Sequence, residues 1–559
     1  MPGTGFFSFV LHSHLPYVRR AGVWPHGEEM IHEAIAETYI PLIRELRRLE
    51  LENVPARFTI GLTPILLEQL ADDDVLRSFV EYARTEVVAA RRDAADPSRD
   101  AAMVALSEYY AAFYEGLLAT FNDELGGDIV GAFRHAFEIG QIEVLTSGAT
   151  HGYLPLLSRD SSINAQLAAG RATTRRHMGR DATGIWLPEC AYRPGYVADT
   201  GLVRPGIEDF LAARGLDHFF TETHVVSGVR SGKVTGDVVG PYGAPRRRVV
   251  EWAGSAAQRD RTVLRPYGVR DAAVSVFARD PRTGLLVWSA NQGYPGDFSY
   301  REFHRKDVAS GLQYWRVTGS GVDLGAKALY DPAVAAARVR AHARHFVGVV
   351  AETLAEHYAT HGRPGLIVSA YDTELFGHWW FEGVSWLGEV ARLLASHPDV
   401  AMMTTAEYLA SYPAEEAIDL PEISWGTGGD HSTWINDETA WMWPEIHRAE
   451  RVMEECVALA SAGSSDCDAV LRQLGRELLL LESSDWPFLI STGQAGEYAA
   501  ERFRSHVERF DRLADAARTG ARDAGMLAYL AEIERSDNPF PDLDWRWFAA
   551  RQGSAALIP

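Results

Sequence analysis

Two acids stand where apolar runs end. Gly184-Ile-Trp-Leu-Pro leads into Glu189 and Ile367-Val-Ser-Ala-Tyr leads into Asp372, so each carboxyl sits at the tip of a predicted buried strand. Retaining cleavage of a glycosidic bond needs such a pair, about 5–5.5 Å apart, one attacking the anomeric carbon and the other protonating the leaving oxygen. By position alone a strand-end acid is more often a structural or capping residue, and the surroundings weigh against that here. Cys190-Ala-Tyr192-Arg193 follows Glu189, and Thr373-Glu374-Leu-Phe-Gly-His378-Trp379-Trp380 follows Asp372. A cationic neighbour keeps a nucleophile ionised, and an aromatic wall raises the pKa of a proton donor. These stretches supply both kinds.

His12-Ser-His14 and His151 also lie at strand ends. Alternate residues on a strand share a face, so a His-x-His pair can chelate a metal, as the ligands of some zinc polysaccharide deacetylases do at barrel strand ends. The same rings can donate to sugar hydroxyls or serve as structural histidines, and spacing does not separate the three readings. The chain has fifteen tryptophans. Trp288, Trp379, Trp380, Trp425, Trp434, Trp441, Trp443 and Trp486 fall in or beside loop text, where an indole can stack on a sugar ring. Packing between domains accounts for several of these. Trp425-Gly-Thr-Gly-Gly-Asp430 and Trp434-Ile-Asn-Asp437 are the least core-like, being surrounded by turn residues.

The elements that would hold these groups repeat. Apolar runs at 6–11, 58–62, 142–145, 184–187, 218–220, 366–370 and 401–403 each end in polar residues, with helical patterns between them. Strand, functional tip and helix in this order predict an α/β fold, an irregular β/α barrel of about seven units with its site at the carboxyl ends of the strands. Residues 72–124 read as an inserted helical subdomain and 413–559 as a helical C-terminal domain contributing to the substrate groove. Residues 1–71 and 125–412 are then the barrel. The stretch from Ser227 to Arg265, rich in Gly, Pro and Arg, is longer than a routine connection and predicts a lid or binding loop.

At 559 residues with a net charge of −22, the chain is predicted to repel nucleic acid and anionic membrane and to act on neutral or cationic ligands. Three scattered cysteines exclude a disulfide framework and suit a reducing cytoplasm. The first residues lack the basic stretch of a signal peptide, and no run reaches the roughly 18 apolar residues of a spanning helix. The expectation is a cytoplasmic protein.

Five segments together carry a resemblance: Leu11-His-Ser-His-Leu-Pro-Tyr17, Thr146-Ser-Gly-Ala-Thr-His-Gly152, Gly184-Ile-Trp-Leu-Pro-Glu-Cys190, Ser369-Ala-Tyr-Asp-Thr-Glu-Leu-Phe-Gly-His-Trp379 and Gly426-Thr-Gly-Gly-Asp-His-Ser-Thr-Trp-Ile-Asn436. In these the sequence resembles the family 57 glycoside hydrolases, and among them the 1,4-α-glucan branching enzymes. The resemblance implies a (β/α)7 barrel, Glu189 as nucleophile, Asp372 as general acid/base, and no metal or other cofactor. It places His12, His14 and His151 in sugar binding around the cleavage point. It also implies that Trp288, Trp425 and Trp434 line the grooves, and Trp379, Asp430 and Trp486 are expected to extend the substrate contacts. A loop tyrosine should shield the intermediate from water, with Tyr242 preferred over Tyr267. The implied substrate is an α-1,4-glucan, cleaved and transferred to a 6-hydroxyl. Transfer to a 4-hydroxyl, or hydrolysis, is the nearest alternative, and a metal-dependent deacetylase the remote one.

Overall fold

A computed structural model describes residues 3–23, 26–198, 201, 203–227, 236–238, 246–248, 261–289, 293–462 and 467–550, the stretches 236–238 and 246–248 by backbone alone. Six strands carry the architecture: β1 (Gly5–Ser13), β2 (Phe58–Leu62), β3 (Ile142–Leu145), β4 (His218–Thr221), β5 (Ser275–Ala278) and β6 (Gly365–Asp372). All nine residues of β1 are buried, which is why its apolar run does not alternate with polar residues: a parallel strand covered on both faces has no solvent side.

β1 runs parallel between β6 and β2, in registers that set His12 beside Asp372 on one edge and beside Gly61 on the other. β2 pairs with β3. Residues 184–187 join next, through parallel bridges Thr146 to Ile185 and Gly184 to His218, and β4 then pairs with β5. The ring returns to β6 where Asp280 N–H donates to the Val368 carbonyl at 2.9 Å. Seven parallel segments therefore close, but one differs from the expected set. Residues 401–403 were expected in the ring, whereas Val400–Met402 lies along the first residues of β1, ahead of Phe9 where pairing with β2 begins. Ser275–Ala278 takes the seventh place.

The helices expected at 72–124 are Asp73–Ala94 and Ala101–Ala119, each started by an aspartate, Asp72 or Asp100, that accepts backbone N–H groups of the first turn. They share one apolar cluster with β1 and β2, and so are continuous with the barrel core. Tyr110 donates to the Gln313 carbonyl at 2.5 Å and Tyr314 to Asp93 at 2.9 Å, fixing the long segment after residue 300 onto them. The later helices, Met442–Ala462, Asp468–Leu481, Asp485–Ser491, Gly496–Thr519 and Ala524–Ser536, bury Leu478 to Leu481 and Trp486 in one cluster with Tyr153 and Ile185 of the barrel. No helix among the described residues is long and apolar enough to cross a membrane.

Inside the ring, at the end away from the chemistry, Glu143 accepts from the Thr59 and Thr405 hydroxyls and the Ala406 N–H, each at 3.0 Å, and meets His218 Nε2 at 3.1 Å. Burial opposes the charge on His218, but hydrogen bonds from its ring to Asp217 and Glu143 overrule it and raise its pKa to about 9. Folded pKa above unfolded means that this contribution is complete below about pH 6.5 and lost as pH rises through about 9. Removing one partner strands a buried charge, so His218→Leu is expected to lower the unfolding free energy by about 3–5 kcal/mol. Urea titration between pH 6 and 10 checks both the size and the loss of the alkaline slope in the variant.

Candidate active site

Glu189 emerges on a one-turn helix, Pro188–Cys190, whose backbone is unusual. Glu189 (φ 60°) and Cys190 (φ 47°) both occupy the left-handed region, as does His151 (φ 58°). Non-glycine residues pay about 1–3 kcal/mol for such backbones, which persist where surrounding contacts over-determine them. Those contacts come from far along the chain. Trp425 donates its indole N–H to Glu189 Oε2 at 2.8 Å and its backbone N–H to the Glu189 carbonyl at 3.0 Å. The Ser484 hydroxyl lies 3.1 Å from Oε1.

A stack of three imidazoles lies behind this carboxyl. His12 Nε2 meets His151 Nε2 at 3.1 Å, and His151 Nδ1 meets Ser484 Oγ at 2.9 Å. Burial, then the charge of His14, holds both rings far below the ordinary histidine pKa, so both are neutral. With Glu189 ionised, one proton arrangement satisfies every contact: His12 donates to His151, His151 to Ser484, and Ser484 to Glu189. His14, stacked on His151 at 3.9 Å between ring centroids, is the charged member. Burial opposes its proton, but Asp485 at 3.0 Å from Nε2 overrules it and raises the pKa. Its Nδ1 is taken by Thr63 at 3.1 Å.

Asp372, at the end of β6, accepts no side-chain hydrogen bond among the described residues. Burial, then the carboxyls of Glu374 and Glu189, push its pKa well above the usual range, with Arg279 opposing. Glu374 is itself raised to about 7 by burial, while accepting the Tyr39 hydroxyl and the His14 N–H. Glu189 is also raised to about 7 by burial, against the Trp425 hydrogen bond and the His14 charge. The two acids therefore differ in kind. Glu189 has donors and a nearby cation that stabilise its anion, whereas Asp372 has neighbouring anions that favour its proton.

The expected site residues divide. Glu189, Asp372, Trp425 and the three histidines converge. The histidines, however, direct their ring nitrogens mainly at protein partners, so they form the bed of the site and not an open rim of sugar contacts. Trp288 is half-buried with its N–H on the Ala370 carbonyl at 3.2 Å, and Trp379 is half-buried against Phe303; the two flank the Asp372 strand. Asp430 is exposed in its turn. Two expectations are corrected. Trp434 is buried, stacked on Tyr153 at 4.4 Å, and Trp486 is buried with its N–H on the Leu480 carbonyl at 2.8 Å, so neither presents a face to a groove. Tyr242 lies outside the described residues, and Tyr267 is a buried strand residue whose hydroxyl bonds Thr262. Ser484, Asp485, Glu374, Tyr39 and Arg279 were not among the expected site residues. The break Glu482-Ser-Ser-Asp485 in an otherwise apolar run was the available signal for two of them.

The pH dependence follows from these environments. A carboxylate acts as a nucleophile only when ionised, so with Glu189 in that expected role kcat/KM should fall as pH drops through about 7. Removing the indole donor in Trp425→Phe destabilises that anion by about 1.5–3 kcal/mol. The acidic limb of the kcat/KM profile is therefore expected to move up by about one to two pH units.

Comparison with known proteins agrees with this geometry. The profile described as glycosyl hydrolase family 57 matches residues 8–421, and that of the C-terminal part of 1,4-alpha-glucan branching enzymes matches 445–548. The 1,4-alpha-glucan branching enzyme TK1436 of Thermococcus kodakarensis is 45% identical over 546 residues, 96% of this chain and 77% of the relative. Its crystal structure in complex with glucose superposes with a TM-score of 0.89 at 44% identity, covering 98% of this chain and 97% of that one. The branching enzyme of Pyrococcus horikoshii gives 0.86 at 40% identity, covering 99% and 98%. The alpha-amylase AmyC of Thermotoga maritima gives 0.81 at 28% identity, covering 98% and 100%.

Proposed function

We propose a division of labour for a chain that belongs to glycosyl hydrolase family 57 and is a 1,4-α-glucan branching enzyme: Glu189 is the nucleophile and Asp372 the general acid/base. The observation that carries this is the opposite setting of the two carboxyls, one supplied with hydrogen-bond donors, the other with neighbouring anions. An α-1,4-linked chain binds across the barrel mouth. Asp372 gives its proton to the leaving glycosidic oxygen as Glu189 attacks C1, forming a glycosyl ester with inversion. Asp372, now ionised, removes the proton from an incoming 6-hydroxyl, which displaces Glu189 with a second inversion. The product is an α-1,6 branch with net retention.

Ser484 and the neutral histidines behind it hold the Glu189 carboxylate in place and keep a donor on the oxygen that becomes the leaving group of the second step. Trp425 fixes the other oxygen. Trp288 and Trp379 are the proposed walls of the groove, and Asp430 a contact at its edge. The proposed domain limits are those expected from sequence, with the C-terminal helices completing the site. A reducing cytoplasm as the compartment is supported by the small number of cysteines, three in the chain, all of them buried. The net charge of −22 supports a neutral polyglucan, and not a nucleic acid or membrane, as the partner.

Glu189→Gln is near-isosteric but cannot form the ester, so new α-1,6 linkages and new reducing ends on amylose should both fall by about 10³-fold or more, within the range seen for loss of a nucleophile. Asp372→Asn should lose far less on a glycosyl fluoride, whose leaving group needs little protonation, than on amylose. Linkage analysis of debranched products, with fluoride release measured in parallel, tests both; equal losses of Asp372→Asn on the two substrates contradict its role.

A further inference from the structure

Two charged residues at the barrel mouth touch neither step of the cleavage chemistry. On β4 and β5 the side chains that point into the ring are Phe220 and Phe277, which pack in one cluster with Val10, Trp186 and Ala370, whereas Phe219, Val276 and Ala278 pack outward. The Arg279 N–H donates to the Thr221 carbonyl at 3.1 Å, so the ladder and its alternation run one residue further. Glu222 and Arg279 are therefore the next inward positions, one layer nearer the mouth than the two phenyl rings. Asp372 is the corresponding residue of β6, two beyond Ala370.

Around the ring, two arcs separate Glu189 from Asp372. One holds β1 to β3 and the histidines, whose nitrogens are directed mainly at protein partners. The other holds β4 and β5, with Glu222 and Arg279 at their tips. Arg279 Nη2 lies 2.8 Å from Glu222 Oε1 and donates to Oε2 at 2.9 Å, which occupies one of the three guanidinium nitrogens. Nε and Nη1 make no hydrogen bond among the described residues, and the side chain keeps 26% of its surface exposed. Burial raises the Cys190 thiol far above its ordinary range, and the charges that act on it next are those of Glu222, Arg279, Glu189 and Asp372. The pair and both carboxyls of the site thus surround one point.

Free N–H groups beside a neutral glucan call for hydroxyl oxygens, and a guanidinium holds its donors in a fixed planar fork that suits neighbouring hydroxyls of a sugar ring. The same strand delivers an aromatic face. Helix Pro281–Trp288 starts two residues after Arg279, and the half-buried Trp288 rests its N–H on the Ala370 carbonyl of the Asp372 strand.

We propose that Arg279, oriented by Glu222, binds hydroxyls of the acceptor glucosyl unit, the one whose 6-hydroxyl Asp372 deprotonates. The inference rests on the assignment of Glu189 and Asp372. The donor unit is held over Glu189 and the histidine bed, which leaves the β4–β5 arc for the unit whose oxygen Asp372 serves, first the leaving unit and then the acceptor.

Partition of the glycosyl-enzyme tests this. With α-maltotriosyl fluoride as donor and maltoheptaose as acceptor, the ratio of transfer product to free maltotriose depends only on which nucleophile attacks the intermediate. Asp372 is the base for water and for sugar alike, so a change in its own charge moves both rates together and cancels in the ratio. Arg279→Gln removes the charge and the fork, whereas Arg279→Lys keeps the charge and the pairing with Glu222 but loses the fork. Both are expected to lower the ratio about tenfold at a given maltoheptaose concentration, through a higher half-saturating acceptor concentration, as loss of a charged hydrogen bond would. A wild-type ratio in either folded variant overturns the contact. So does a ratio that falls only because maltotriose is released faster in the absence of acceptor, since that marks a site opened to water. Asp372→Asn assayed in parallel separates the two readings: transfer from it as fast as from the wild type contradicts the acid/base assignment itself.

Discussion

The constraint on which the proposed mechanism depends is that Glu189 must ionise where water is largely excluded. Burial alone would keep its proton on. The chain answers with donors drawn from residues 236 and 295 positions away, Trp425 and Ser484, and with a charged His14 held in place by Asp485. The left-handed backbones of His151, Glu189 and Cys190 are a consequence, since only contacts from several directions keep three such residues in place. The C-terminal part of the chain therefore reaches Glu189 through Ser484 and shares an apolar core with the barrel.

The same burial works in the opposite sense at Asp372. With no donor to its side chain among the described residues, and with Glu374 and Glu189 nearby, the carboxyl favours its proton, the state that the proposed acid role requires. In the proposed cycle, the charge of Glu189 disappears when it becomes an ester, one of the anions around Asp372 is gone, and Asp372 becomes better able to exist as the base of the second step. Arg279, held at 2.8 Å by Glu222, moderates the same group from the ends of β4 and β5. Under that proposal, coupling between the two carboxyls gives each half-reaction the protonation state it needs.

The positions were legible in the sequence because strand ends are local signals: an apolar run broken by a polar residue placed Glu189, Asp372, His12, His14 and His151 at strand tips, while the roles expected of them came from the family resemblance. Depth was not legible. Trp434 stands in polar, turn-rich text and Trp486 directly follows Glu482-Ser-Ser-Asp485, yet both are buried, because composition along the chain does not report what later folds over it. Ser275–Ala278 escaped because it follows directly on the long irregular stretch read as a loop, and the run at 401–403 misled because an apolar segment can lie against β1 without joining the ring. Ser484 and Asp485 act through contacts hundreds of residues long, which no local window contains.

The central claim is that Glu189 carries the glycosyl group between the two half-reactions. The most direct measurement is to incubate Asp372→Asn with α-maltotriosyl fluoride at a pH above 7, quench in acid, digest, and locate the added mass by peptide mapping. The account predicts a glycosyl ester on the Glu189 side chain that accumulates because the base for its removal is missing, and that disappears when azide is supplied. A label on Glu374 or Asp485, or fluoride release at an undiminished rate from Asp372→Asn that also carries Glu189→Gln, would contradict it.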